Sequence, residues 1–161
     1  MRLTLFLIAV GITLSANSQD IKRLDADNGF GDMHFGDSLT KFSTMKIIDQ
    51  VEDSAYIFCR KTDDSLKFAG AEVDLVYTFY LKRLATVFIS TKGEVNSRLV
   101  LKYLEDRYGK GSQEDKYLYN FLWNGQYTRL TYHEHVISMD AKIYISSLVF
   151  RKVYKGPEKR E

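Results

Sequence analysis

From Val73 to Leu81 every second residue is apolar, so Val73, Leu75, Tyr77, Phe79 and Leu81 share one face of an extended segment. Ala85, Val87 and Ile89 repeat the pattern after a turn at Lys82 and Arg83, and the two runs read as a hairpin in the middle of a sheet. Ile47–Val51 and Ala55–Lys61 read as strands ahead of it, followed by a polar loop around Thr62–Ser65. After Ile89 the period changes: Val100, Leu101, Leu104 and Tyr108 form the apolar stripe of a helix over Glu94–Tyr108, which Gly109 is placed to end in a left-handed cap. Beyond Lys110–Lys116, the segments Tyr117–Trp123 and Gln126–Val136 flank Asn124 and Gly125, a dipeptide suited to a two-residue hairpin turn, and a last strand covers Lys142–Val153. Nearer the start, Met33–Phe35 reads as a short strand, and Asp37 or Ser38 caps a helix through Met45 with Leu39, Phe42 and Met45 three apart. The pattern predicts an α+β domain, mostly antiparallel sheet of about six to eight strands, with two helices packed on one face.

A two-residue turn at Asn124 and Gly125 assigns the faces of its hairpin. It pairs Trp123 with Gln126, Phe121 with Thr128, Tyr119 with Leu130 and Tyr117 with Tyr132, which makes the aromatic row the core face. The other face then brings together Leu122 and Tyr127, Asn120 and Arg129, Leu118 and Thr131, and Lys116 and His133, a polar surface open to solvent. Packing against the second helix accounts for Tyr117, Tyr119, Phe121 and Trp123 better than an exposed ladder for sugars or peptides does.

Residues 1–18 carry a basic Arg2, an uncharged apolar run over Leu3–Leu14, and small residues Ala16 and Ser18 before Gln19, the pattern of a cleavable signal peptide. The run is shorter than a membrane span, and the single cysteine, Cys59, does not follow the cut, so neither an integral membrane segment nor a lipid anchor is expected in the mature chain. The expected organisation is a flexible acidic arm over 19–32, one domain over 33–154 and a charged tail over 155–161, in a periplasmic or secreted protein. With 23 Lys plus Arg against 21 Asp plus Glu the charge selects no partner. The terminal basic cluster, interrupted by acids, together with the compartment, argues against nucleic acid. One cysteine gives no internal disulfide, and Cys59 reads as a small buried strand residue.

His133 and His135 alternate onto one strand face about 7 Å apart, a separation at which two imidazoles can share a metal. Lys116 and Arg129 on that face oppose a cation, Glu134 points away, and a solvated polar face is the better reading. Asp25, Asp27, Asn28, Gly29 and Asp32 resemble a calcium loop, but the glycine falls one position early and no closing glutamate follows. No nucleophile elbow, phosphate loop or zinc-protease helix occurs, so catalysis is disfavoured and no cofactor is called for.

Gly36, Asp37, Ser38, Leu39 and Thr40, then Tyr108, Gly109 and Lys110, then Trp123, resemble the plan of small envelope proteins built from helix-plus-meander units. The small outer-membrane assembly lipoproteins and the β-lactamase inhibitor proteins are of that kind. The resemblance covers roughly Gly36 to Trp123 and implies a non-catalytic module that binds another protein. The resulting expectation is a module binding a protein or envelope component through the open sheet face, with Lys116, Tyr127, Arg129, His133 and His135 as contacts. Behind it stand a carrier of a small apolar ligand held between sheet and helix, and a metal-dependent hydrolase at His133 and His135. Oligomeric state is left open.

Overall fold

The computed structural model describes residues 20–51, 55–63 and 66–150. The expected signal peptide, the charged tail and residues 151–153 of the expected last strand lie outside these residues, while residues 148–150 of that strand form a turn. The chain forms helix α1 (Ile21–Asp27), strands β1 (Gly29–Phe30), β2 (Met33–His34), β3 (Met45–Val51), β4 (Tyr56–Lys61), β5 (Lys67–Phe68), β6 (Ala71–Tyr80) and β7 (Arg83–Thr91). Helix α2 (Gly93–Tyr108) and strands β8 (Asn120–Asn124), β9 (Thr128–Glu134) and β10 (Ala141–Ser147) complete it. The main sheet is eight-stranded and antiparallel, in the order β3-β4-β6-β7-β10-β9-β8 with β5 on β6, and β1 and β2 make a separate ribbon. The fold is therefore α+β, as the alternation required. From β7 at the centre, α2 carries the chain over one face to the far edge, and a meander returns through β9 to set β10 beside β7.

Register turns this topology into a layered core. Leu75, Ile89, Ile143, Tyr132 and Phe121 form one row across five strands, and Tyr77, Val87, Ile145, Leu130 and Trp123 form the next. Val100, Leu101, Leu104 and Tyr108 of α2 are buried in the same cluster, so each predicted stripe residue faces the sheet. Each such side chain contributes about 1.5–3 kcal/mol through the area it removes from water. α2 ends at Gly109, whose positive φ of 72° suits glycine although its ψ of 178° is not that of a left-handed helical cap. The Gly109 carbonyl accepts the Trp123 indole N–H at 2.7 Å, so the one tryptophan is buried with its polar atom paired.

The structure corrects four expectations. Residues 20–32, expected as part of a flexible arm, carry α1 and β1: α1 is capped by Asp20, whose carboxylate accepts the Arg23 N–H, and ends at Asn28 in the left-handed region. It buries Leu24 and ties its acids to distant partners. The helix predicted through Met45 is one 3₁₀ turn over Leu39–Lys41, because the segment before it bonds the β6–β7 turn: Gly36 N–H to Leu84 O, Leu39 N–H to Lys82 O. Leu39, Phe42 and Met45 still pack on the core, so the spacing identified buried positions but not the backbone that carries them. The β6–β7 turn is Leu81–Lys82, one residue earlier than expected, and a bulge at Thr78/Phe79 turns both Leu84 and Ala85 inward.

The fourth correction concerns β8 and β9. Asn124 pairs with Arg129, Trp123 with Leu130 and Phe121 with Tyr132, closing a four-residue loop rather than a two-residue turn. The slip is two residues on each strand, an even number, so Phe121, Trp123, Leu130 and Tyr132 keep the core face. Tyr117 and Tyr119 do not join them. The Asp115 carboxylate accepts the Tyr117 N–H, a turn forms ahead of β8, and the two rings are 80% and 45% exposed.

Candidate functional site

Every side chain of β6 that faces α2 is buried, and its alternate positions are half-buried or exposed. The same holds across β9 and β10, so the sheet has one buried face and one open face. Polar residues border the open face: Asp74, Ser90, Lys142, His133 and Asn120 form one row. Thr78, Thr86, Ser146, Arg129 and Asn124 form another. Between them runs Val76, Phe88, Tyr144, Thr131 and Leu122, with the Phe88 and Tyr144 rings 4.9 Å apart. Tyr56 and Tyr80 add a second ring pair at 5.0 Å toward the β3 edge. Arg60 grips Asp74 with both carboxylate oxygens engaged, and this pairing holds the Asp74 carboxyl below its ordinary range against the opposing effect of burial.

Of the five residues singled out by sequence, the structure brings two onto this face. Arg129 lies on β9, half-buried, with Nε donating to Asn124 Oδ1 at 2.7 Å, and His133 stands four residues on, on the same face. Lys116 does not reach them, since Asn120 is the residue opposite His133 and the Lys116 ammonium lies 5.0 Å from the Tyr117 ring centroid in the preceding loop. Tyr127 sits in the β8–β9 loop, its N–H donating to Asp25 and its carbonyl accepting the Leu148 N–H, and not opposite Leu122. His135 falls past the end of β9, where its Nδ1 accepts N–H groups of Ile137 and Ser138. The two imidazoles therefore do not face a shared ion. Phe88, Tyr144 and Val76 were missed by sequence reasoning; the signal was present as apolar residues on the polar phase of an alternation, as in Lys142, Tyr144 and Ser146.

Two polar clusters lie beneath or beside the sheet. Glu134, buried on the core face, accepts the Tyr132 hydroxyl at 2.6 Å and pairs with Arg98 at 3.0 Å, and Arg98 stacks 3.3 Å from the centre of the Tyr119 ring. Burial, then the adjacent carboxylate, pushes the Tyr132 hydroxyl pKa far up. At the α1–α2 contact, Asp27 accepts from Arg107 at two atoms and from the Tyr108 hydroxyl at 2.7 Å. Burial and Asp27 push Tyr108 up likewise. The Asp27 cluster borders a cleft of ≈ 410 Å³ that His34, Phe30 and Tyr103 also line, but its carboxylate and guanidinium satisfy one another. Both arrangements hold structure, since each acid is paired with a base.

Asp25, Asp27 and Asp32 do not converge on a cation: Asp25 caps the β8–β9 loop, Asp27 holds Arg107, and Asp32 lies 3.7 Å from Lys61. Among the described residues no group of three His, Cys, Asp or Glu side chains is arranged to hold a metal, and no helix is long and apolar enough to cross a membrane. Cys59 is buried in the core, and burial raises its thiol pKa. What the fold defines is a class: an α+β protein with an antiparallel sheet covered on one face and open on the other. Family models, curated proteins and solved structures give no match to this chain. The helix-plus-meander likeness therefore stands on the residues quoted for it alone.

Proposed function

We propose that this protein is a non-catalytic binding module of the periplasm or extracellular space, and that a protein or other envelope component docks on the open face of its sheet. One observation carries the reading. A sheet face that only meets water alternates polar side chains on its outward phase. Here the outward phase of β6, β7 and β10 supplies Val76, Phe88 and Tyr144 side by side, with Leu122 of β8 beyond Thr131 of β9, as a largely apolar row between two polar ones, the distribution of an interface centre within its rim. The leader-like first 18 residues support the compartment.

Replacing Phe88 and Tyr144 together by serine tests it, with the melting temperature held as a control for folding. Cross-linking in the native host should give a discrete adduct with the parent chain and lose it with the variant. Retention of the adduct by a folded variant refutes the placement. The carrier reading puts its ligand between sheet and helix, where Val100, Leu104 and Trp123 are packed to near-zero exposure and the cleft beside them is bordered by the Asp27–Arg107 pair.

A further inference from the structure

We infer that the part of the open face over β9 and β10 is an anion site that takes an acidic side chain of an extended, acidic and apolar peptide segment. This deepens the open-face reading and rests on it. A depression of ≈ 370 Å³ there is lined by Thr86, Arg129, Thr131, His133, Tyr144 and Ser146. The lining holds one guanidinium, one imidazole and four hydroxyls, and no carboxylate. Register explains the convergence: Thr86, Ser146 and Arg129 stand in one cross-strand row, and Tyr144 and Thr131 in the next.

None of the ion pairs among the described residues involves Arg129, His133 or Lys142, which lies beside His133 on β10. Asp74, the acid of the same face, is held by Arg60 toward the other edge. Arg129 has its Nε fixed by Asn124, so its terminal nitrogens are positioned by a bond that does not consume them. A carboxylate is the planar acceptor such a guanidinium matches, and the neighbouring hydroxyls supply further donors.

The second half of the ligand follows from the neighbouring depression, of ≈ 350 Å³, which shares Arg129, Thr131 and His133 and has Leu118 and Leu122 in its wall. Glu114 and Asp115 border it, so an anion is repelled from that side and directed to the β10 side of Arg129. A ligand that fills both carries a carboxylate and, a few ångströms away, an apolar group. Alternate side chains of an extended peptide, which share one face, meet that description.

The test is an NMR titration of the folded chain with two end-blocked peptides, Glu-Ser-Leu-Ser and Gln-Ser-Leu-Ser, in which the acidic or amide side chain and the leucine share a face of the extended chain. The acidic peptide should shift the amides of Arg129, Thr131, Tyr144 and Ser146 saturably, with the amide peptide weaker by about tenfold. Arg129→Gln should remove that difference, and Lys46→Gln, at the far edge strand, should keep it. Equal binding of both peptides on these residues overturns the anion site and leaves the open-face reading intact. No shift from either peptide, or shifts produced only by vesicles of anionic lipid, overturns the peptide assignment, whereas the cross-linking of the Phe88 and Tyr144 variant judges the face independently.

Discussion

Glu134 has a side chain only 2% exposed, and its charge is balanced by one guanidinium and one phenol. An ion taken from water this completely is tolerated only while its partners stay, and removal of one partner costs far more than the pair contributes. Arg98→Met should therefore lower the unfolding free energy by about 3 kcal/mol, and adding Glu134→Gln should recover much of it. Urea denaturation of the two variants and the parent reads this directly; additive losses would show that the pair is not coupled. Tyr132 and Tyr108 give a second residue-scale test. Their hydroxyl pKa values are raised in the fold, so the stability they contribute is fully present below about pH 10 and is lost as pH rises toward the folded values. Absorbance of tyrosinate on an alkaline titration should show Tyr132 and Tyr108 ionising only as the sheet unfolds. Tyr108→Phe should flatten part of that alkaline loss.

At the scale of elements, the β8–β9 loop and the short α1 stabilise each other. Asp25 accepts the N–H groups of Gln126, Tyr127 and Thr128 at 2.7–2.9 Å, which closes the loop from outside its own strands. A Cβ at Gly125 would stand 2.3 Å from Asp25 Oδ1, so glycine is required there by close approach of the carboxylate. Asp25→Ala should cost about 2 kcal/mol and should loosen α1 along with the loop, seen as faster amide exchange in both. An exchange change confined to the loop would contradict the coupling. The β6–β7 turn is strained in the opposite sense: Leu81 and Lys82 hold φ of 46° and 63°, a region costly to residues with a Cβ. Leu81→Asn with Lys82→Gly should raise stability by about 1 kcal/mol, measured as an upward shift in melting temperature.

Across the whole molecule, acid sensitivity is the sum of carboxylates whose pKa values the fold lowers. Asp140 is lowered first by the Gly93 N–H and then by Lys92, and Asp74 by Arg60. At Asp37 burial acts upward and is outweighed by the His34 N–H and Lys41. A lowered folded pKa gives stability that is present above the unfolded value near 4 and is lost as pH falls through the folded one. Thermal stability should therefore decline below about pH 4, and Asp140→Asn should soften that decline because it frees the start of α2 from the pH dependence. A decline identical to the parent's would show that Asp140 does not anchor α2.

The sequence by itself determined the period of each element and therefore its face. Period two over β6 and β7 and the stripe of α2 located most of the buried side chains of those three elements, Leu81 excepted because it falls in the exposed turn, since burial on one side of a strand or helix leaves a mark at every second or every third and fourth position. Even a hairpin register wrong by two residues per strand kept its faces, since the side-chain repeat is two. Only the tertiary structure decided what depends on partners remote in the chain. α1, too short to hold alone, exists because Arg107, Tyr108 and the loop at Gln126 meet its acids, and the helix through Met45 is absent because its backbone bonds the β6–β7 turn instead. The open face was visible as polar positions, but its apolar centre is built one residue per strand from β6, β7, β10 and β8. Strand order and register alone bring those residues together.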